Sequence, residues 1–414
     1  MAERLQVPKG TFDVLGEDAL ARDALLATAR QLFERAGYER IETPTFEFTE
    51  LFARGVGRST DIVQKEMYSF EDGGGRSLTL RPEGTAPVCR AYLEHGMHKR
   101  PQPVKLWYAS SFFRAEAPQQ GRFRQFWQIG AEAIGAADPG VDAELIVLLS
   151  EVLEAIGAQG IRLRLGSLGT PASRAAYRDE LQAYLRAHEG ELSAEVRERI
   201  DLNPLRAFDA DHPGTRKVMA QAPLLMDRLD PEDAEHFAAV RALLDAAGVP
   251  YELDPTLVRG LDYYTRTVFE FASDALGAQS GVGGGGRYDG LIEQLGGPAT
   301  PGCGWAAGIE RMLLASPAPP VAPPVVDLYV AAAGEQHRVA AFKLTDDARR
   351  AGLAARLELA GRSIKGVFKQ ADRIGARYVA VLGDGGVALK DLQSGEQQTV
   401  ELDTVMHHIR GARL

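Results

Sequence analysis

The stretch Ser316–Val325, SPAPPVAPPV, places five prolines between Pro317 and Pro324. Proline fixes φ and lacks an N–H, so such a run is neither helix nor central strand but an extended, semi-rigid linker. One hydrophobic core cannot run through it. The 414-residue chain should therefore fold as separate domains, as its length also suggests. The boundaries expected are a first domain over 1–315, a linker over 316–325 and a second domain over 326–414.

Hydrophobic residues at 45% and charged residues at 25% match ordinary globular proteins, so both domains should bury a proper core. Met1 to Gly10 is polar, without the apolar run of a signal peptide, and no stretch approaches the roughly 18 apolar residues of a membrane span. A cytoplasmic protein with no membrane partner is expected. The two cysteines, Cys89 and Cys303, are far apart, which indicates neither a disulfide framework nor a cysteine-based zinc site. Net charge is −10, against the usual pattern for a nucleic-acid binder. From Val325 onward, however, 13 Lys or Arg face 11 Asp or Glu, a local bias in the direction that RNA contact requires.

Near the start, Leu25, Ala29, Leu32, Phe33 and Ala36 fall on one helical face that Gly37 terminates, and a strand follows over Tyr38 to Thr43. Val141, Leu145, Leu148, Val152 and Ile156 form a second stripe, ended by Gly157. These stripes read as core. Lys105–Phe113 and Phe123–Ile134 are rich in aromatic and β-branched residues and predict two long strands joined by the polar turn Ala115–Arg122. Leu168 to Val249 reads as a helical insertion. Past the linker, apolar Leu328–Ala332, a helix from Glu335, a helix over Ile364–Ile374 and the strand-like ARYVAVLG at Ala376–Gly383 alternate as a small α/β domain. The first domain is α+β, an antiparallel sheet with helices.

Four segments concentrate charge and glycine beyond what a core needs. In TLRPEGT, Thr79–Thr85, Glu83 and Thr85 have the groups to grip an ammonium ion. In SFFRAEAPQQGRFRQFWQIGAE, Ser111–Glu132, the arginines Arg114, Arg122 and Arg124 surround a turn, and their planar forks suit an anion such as phosphate. Gln128 and Glu132 are four apart on a strand and so share a face. Phe126 or Trp127 offers a flat apolar surface for an adenine. The third segment is LVRGLDYYTRTVFEF, Leu257–Phe271, and the fourth is SGVGGGGRYDGL, Ser280–Leu291, followed by GCGWAAGIERML, Gly302–Leu313. Any one of these, alone, reads equally well as a solvated turn or an exposed charged hairpin.

Gly281, Gly283 and Gly286 formally satisfy GxGxxG, but a run of glycines meets that pattern almost freely and no downstream ribose-binding acid is apparent. GxxxxGK[ST], HExxH and GxSxG are absent from the sequence, which removes the P-loop, zinc-protease and serine-hydrolase readings. His95 and His98 form an isolated HxxH, and no protein metal ligand is assigned.

Taken in order, these segments resemble the histidyl branch of the class II aminoacyl-tRNA synthetases. GYERIETPTFE resembles motif 1, FFRAE with GRFRQF motif 2, and GIERML motif 3, while RGLDYYTRTVFE and GGGGRYDGL resemble the histidine-specific pair. PKGTFDVL resembles the family's opening. The resemblance spans essentially the whole chain. It implies a class II catalytic domain over 1–315 with the helical insertion at about 168–249, and an anticodon-binding domain over 326–414.

The resemblance also implies a reaction, in which the carboxylate of L-histidine attacks the α-phosphorus of ATP, forming histidyl-adenylate and pyrophosphate before transfer to the 3′ end of tRNA(His). Arg259 and Arg114 would be the catalytic residues, Arg259 stabilising charge at phosphorus. Histidine would be held by Glu83, Thr85, Arg114, Gln128, Glu132, Arg259, Tyr263, Tyr264 and Tyr288, and ATP by Arg114, Glu116, Arg122, Phe126 and Arg311. Carboxylate and phenol oxygens suit the two imidazole nitrogens, because a wrong side chain would leave them unpaired. Mg²⁺ would accompany ATP. The glycines at 281–286 and 302–308 would let substrate approach the backbone closely. Pro44 belongs to the element that in this family forms a homodimer interface. In the second domain Lys365, Lys369, Arg373 and Arg377 recur every fourth residue, a basic helical stripe suited to RNA.

Trp127 stands where the family often has histidine, and the loop before Ile364 is shorter than the family's usual form. The alternative reading is a catalytically silent relative, like the histidine-sensing regulatory subunit of ATP phosphoribosyltransferase. Such a relative generally lacks the anticodon domain and degrades the ATP-binding arginines, whereas Arg114, Arg259 and Arg311 are present.

Overall fold

The computed structural model describes residues 4–57, 60–119, 121–277, 280–317 and 326–411. The chain divides into two compact units, Met1–Pro319 and Pro320–Leu414. Most of the proline-rich linker, residues 318–325, lies outside the described residues.

In the first unit eight strands form one sheet, in the order Glu39–Arg40, Val104–Phe113, Gln125–Ile134, Gly302–Gly308, Gly281–Arg287, Thr265–Ser273, Ile161–Ser167 and Glu252–Leu253. The six long strands pair antiparallel, and each two-residue edge strand joins in parallel. The predicted hairpin is the pair Val104–Phe113 and Gln125–Ile134, in register from Val104 opposite Ile134 to Phe113 opposite Gln125.

Because strand side chains alternate, the sheet has two apolar faces. One face carries Trp107, Ile129, Phe269 and Trp305, covered by the helices Gly16–Arg35 and Pro139–Ala155 through Leu25, Phe33, Leu145 and Val152. Phe33 stacks on Trp107 with ring centroids 5.0 Å apart. Each large side chain so buried contributes about 1.5–3 kcal/mol, which pins the sheet to its helices. Both helices stop where the sequence predicts, at Gly37 with φ +80 and Gly157 with φ +73. The opposite face carries Leu106, Tyr108, Phe112 and Val268 and packs against the helix Thr85–Glu94 and the helical insertion.

The insertion comprises the helices Pro171–Ala187, Ala194–Arg199, Pro213–Met219 and Pro231–Ala247. The first three pack on the face of Leu106 and Tyr108, whereas Phe237, Val240 and Leu244 of the last helix join the core of the other face, around Pro139–Ala155. The strand predicted over Tyr38–Thr43 is shorter, Glu39–Arg40. The buried guanidinium of Arg81 takes the carbonyls of Thr43 at 2.6 Å and Pro44 at 3.3 Å, pulling the chain off the ladder. Beyond it Phe46–Phe48, Ser77–Leu80 and Tyr68–Glu71 form a separate three-stranded sheet.

The second unit is a five-stranded mixed sheet, in the order Ala355–Leu357, Val326–Ala332, Ala376–Gly383, Gly386–Asp391 and Gln397–Val400, with helices Arg338–Arg350 and Ile364–Arg373. Lys365, Lys369 and Arg373 are exposed on the second helix. Arg377 is not part of that helical stripe. The helix ends at Arg373, Gly375 turns the chain at φ +62, and Arg377 lies in the following strand. Among the described residues no helix is long and apolar enough to cross a membrane.

Candidate active site

The site is built around the glycine strand Gly281–Arg287, which lies between Thr265–Ser273 and Gly302–Gly308. GxGxxG is thus part of an extended strand, with no phosphate-binding turn. A Cβ at Gly285 would lie 1.9 Å from the carbonyl oxygen of Gly304, so only glycine fits. At Gly284 and Gly286 a Cβ would first meet the Phe269 and Thr267 carbonyl oxygens, at 2.5 and 2.4 Å, with site side chains next. A Cβ at Gly284 would sit 3.0 Å from Arg259 Nη2, and one at Gly286 3.1 Å from Tyr264 Cδ1. At Gly302 it would meet the Tyr288 ring at 2.2 Å, and at Gly304 it would overlap Glu132 Oε2. Gly302 and Gly304 thus seat Tyr288 and Glu132, while the glycines at 284–286 let the strands approach closely.

Two groups of predicted residues result. Arg114, Glu116, Arg122, Phe126, Gln128, Arg259 and Arg311 line an open cavity of about 540 Å³. Arg114 donates from Nε to the Pro82 carbonyl at 3.0 Å and lies 5.3 Å over the Phe126 ring. Glu116 is 3.7 Å from Arg114 and 3.4 Å from Arg122. Burial, reinforced by the Arg122 charge, holds the Arg311 guanidinium below the usual arginine range. With Arg164, five guanidinium groups line this one cavity and make a site for a polyanion. Arg259 Nε and Gln128 Oε1 are buried without a hydrogen-bond partner, leaving a donor and an acceptor for a ligand.

The second group is sealed. Glu132 is fully buried; its Oε2 accepts from the Tyr288 hydroxyl at 2.7 Å and its Oε1 from Thr85 Oγ1 at 2.8 Å. Glu83 accepts from the amides of Thr85 and Ala86 at 2.8 and 3.0 Å, at the start of the helix Thr85–Glu94, and from the Tyr263 hydroxyl at 3.5 Å. Burial pushes the Glu132 carboxyl up to about 8, although the Tyr288 and Thr85 hydroxyls favour its charge. Burial likewise raises Glu83 and lifts Tyr264 to about 12. Neutral phenols and carboxyls that exchange donor and acceptor roles can match a heteroaromatic ring with two nitrogens. The two groups meet on the glycine strand, where Gly284 faces Arg259 and Gly286, about 7 Å along, faces Tyr264.

Some expectations need correction. Arg124 does not join the anion site, because its Nε donates to the Glu116 carbonyl at 3.2 Å and its Nη1 to that of Lys9 at 3.5 Å. Of the two candidate adenine surfaces, Phe126 lines the cavity. The Trp127 ring alternates to the other face, 4.9 Å beneath Arg22, and its backbone N–H donates to Glu310. Its departure from the family pattern therefore does not place a side chain in the cavity, although Glu310, its partner, lines it. The sequence reading also missed Glu270, which accepts from Arg259 Nη1 at 2.6 Å and from Arg164 Nη1 at 3.2 Å. A lone carboxylate inside the apolar run TVFEF was the available signal.

An antiparallel sheet with a helical insertion, an arginine-lined cavity and a separate mixed α/β unit define a class II aminoacyl-tRNA synthetase. The histidyl-tRNA synthetase family model matches residues 10–312, and an anticodon binding domain model matches 327–411. The chain is 46% identical over 411 residues to the histidine–tRNA ligase of Desulforamulus reducens, covering 97% of this chain and 98% of that one. It is 48% identical to that of Streptomyces coelicolor, covering 97% and 96%. A crystal structure of apo S. aureus histidyl-tRNA synthetase superposes with a TM-score of 0.81 at 36% identity, covering 98% of this chain and all of that one. An ATP phosphoribosyltransferase regulatory subunit/histidyl-tRNA synthetase from Bacillus halodurans shares the fold, at a TM-score of 0.66 and 23% identity. The chain belongs to the histidyl-tRNA synthetase family.

Proposed function

We propose that the chain is a histidine–tRNA ligase that forms histidyl-adenylate from L-histidine and ATP and then esterifies tRNA(His). The observation that carries this reading is the junction on the glycine strand, where Arg259 of the polyanion cavity sits beside Tyr264 of the sealed polar cluster. A nucleoside triphosphate fits the first compartment and an imidazole the second. The retained arginines and the anticodon-binding match favour a ligase over a histidine-sensing regulatory relative.

In this reading Arg114 meets the α-phosphate and Arg311 the γ-phosphate, with Glu116, Arg122 and Phe126 around the rest of ATP. Glu83, Thr85 and Gln128 surround the α-amino group, and Glu132, Tyr263, Tyr264 and Tyr288 the imidazole. Arg259 bridges the histidine carboxylate and the α-phosphate, and its fixed charge stabilises the in-line transition state without a covalent nucleophile. Mg²⁺ is expected with ATP. The cavity carboxylates Glu116, Glu270 and Glu310 are already paired with arginines, and no cluster of three metal-ligating side chains occurs among the described residues. The ion would travel on the phosphates.

The proposed domain roles are catalysis over 1–315, with the insertion at about 168–249, and anticodon binding over 326–414, joined by the 316–325 linker. The exposed Lys365, Lys369 and Arg373 suit an RNA backbone. A cytoplasmic homodimer is proposed, supported by Phe46, Phe48 and Phe70, each about half exposed on the three-stranded sheet, an apolar patch of the kind interfaces cover. Charging of tRNA(His) with labelled histidine tests the activity; histidine binding without charging would favour the regulatory reading.

A further inference from the structure

The segment ahead of the first helix has no part in the chemistry above, yet it touches the cavity wall at several points. Thr11 N–H and Oγ1 both donate to the Pro8 carbonyl, at 3.0 and 2.8 Å, closing a tight turn. The carbonyl of Gly10, within that turn, accepts the Arg124 backbone N–H at 2.8 Å. Arg124 in turn gives its carbonyl to the Arg114 N–H at 3.0 Å and its Nε to the Glu116 carbonyl at 3.2 Å. Phe12 packs on Phe123 with ring centroids 4.6 Å apart, and Phe123 lines the cavity. Gly10 adopts φ +89, and a Cβ there would lie 2.9 Å from both Arg124 Cγ and Pro118 Cγ. The turn is fitted closely to the loop between the two hairpin strands.

We propose that Pro8–Phe12 is a strap that positions this loop for ATP, with Gly10 and Phe12 as positioning residues acting through Arg124 and Phe123 on Glu116 and Arg114. Among the described residues, the loop's other backbone bonds are Ala115 N–H to the Glu66 carbonyl and the pairing of Gln119 with Arg122 within the same turn. Holding it in place before ATP arrives removes an ordering penalty that binding would otherwise carry. The inference rests on the ligase reading for its substrate but not for its geometry.

The test uses the full chain with Phe12→Ala, Phe12→Tyr and Gly10→Ala. Phe12 is 41% exposed, so truncating it leaves the core intact. In histidine-dependent ATP–pyrophosphate exchange, Phe12→Ala and Gly10→Ala should raise KM for ATP about three- to tenfold, the worth of one aromatic pair. KM for histidine should stay put, and Phe12→Tyr should restore KM for ATP. Hydrogen exchange at the Arg124 amide should quicken in Phe12→Ala. An unchanged KM for ATP, or equal rises for both substrates, overturns the strap. If the wild type shows no exchange, the ligase reading fails instead, and the Arg124 amide alone decides: unaltered protection overturns the strap, and faster exchange supports it.

Discussion

Replacing Glu132 with glutamine removes a buried ionisable group while keeping its shape. Burial raises the Glu132 carboxyl from the 4.5 of a free glutamate to about 8, a gap equivalent to roughly 5 kcal/mol. Because the folded-state value lies above the unfolded one, the native state holds a proton that the unfolded chain has released between about pH 4.5 and 8. Stability from this group is therefore full below the unfolded value, falls as pH rises, and is lost once pH passes the folded value. Glutamine cannot titrate, so the variant should escape that loss. Glu83, also raised by burial, titrates in both proteins and largely cancels. Thermal unfolding of wild type and Glu132→Gln from pH 5 to 9 should give curves that diverge, with the variant gaining up to roughly 8 °C at the alkaline end for a unit of this size. Histidine affinity should fall sharply in the same protein. Parallel curves would refute the reasoning, and would mean that the Tyr288 and Thr85 hydroxyls fully offset the burial of the charge.

Arg259→Ala should lower the rate of adenylate formation by two to three orders of magnitude, on the order expected for one preorganised charge at a transition state, while histidine binding by calorimetry persists; full activity refutes its assigned role. Arg114→Lys should fail to rescue activity, because a point charge cannot both hold the Pro82 carbonyl and present a fork to phosphate; near-normal turnover in exchange kinetics would contradict this. Gly304→Ala should destabilise the first unit by about 2 kcal/mol or more and abolish histidine binding, since its Cβ would overlap Glu132 Oε2; a stable, histidine-binding variant would show that the strand can yield.

The long hairpin, the two helical stripes and the strand Ala376–Gly383 were legible because each carries its own periodicity and punctuation. Arg114, Arg122, Arg259 and Arg311 were legible as well, since they fall within short motifs, whereas the cavity's Arg164 lies outside them. The sealed cluster was legible only as separate residues. Glu132 is 47 positions from Thr85 and 156 from Tyr288, and only the sheet order brings them together. Which predicted ligands would be open and which enclosed depends on that order. Local pattern misled at two places: the four-residue spacing of the basic stripe continues past Gly375, where the helix has ended, and the extended chain after Arg40 gives its carbonyls to Arg81 instead of a neighbouring strand. Glu270 was hidden because a charge within an apolar strand reads as solvent-facing until Arg259 and Arg164 are found against it.

The most direct measurement is ATP–pyrophosphate exchange with the full chain, run in parallel with each of the twenty amino acids. The account predicts exchange driven by histidine alone, because the buried hydroxyls and carboxyls of the sealed cluster would be left unpaired by any other side chain. Exchange supported equally by another amino acid, or histidine binding with no exchange at all, would contradict it.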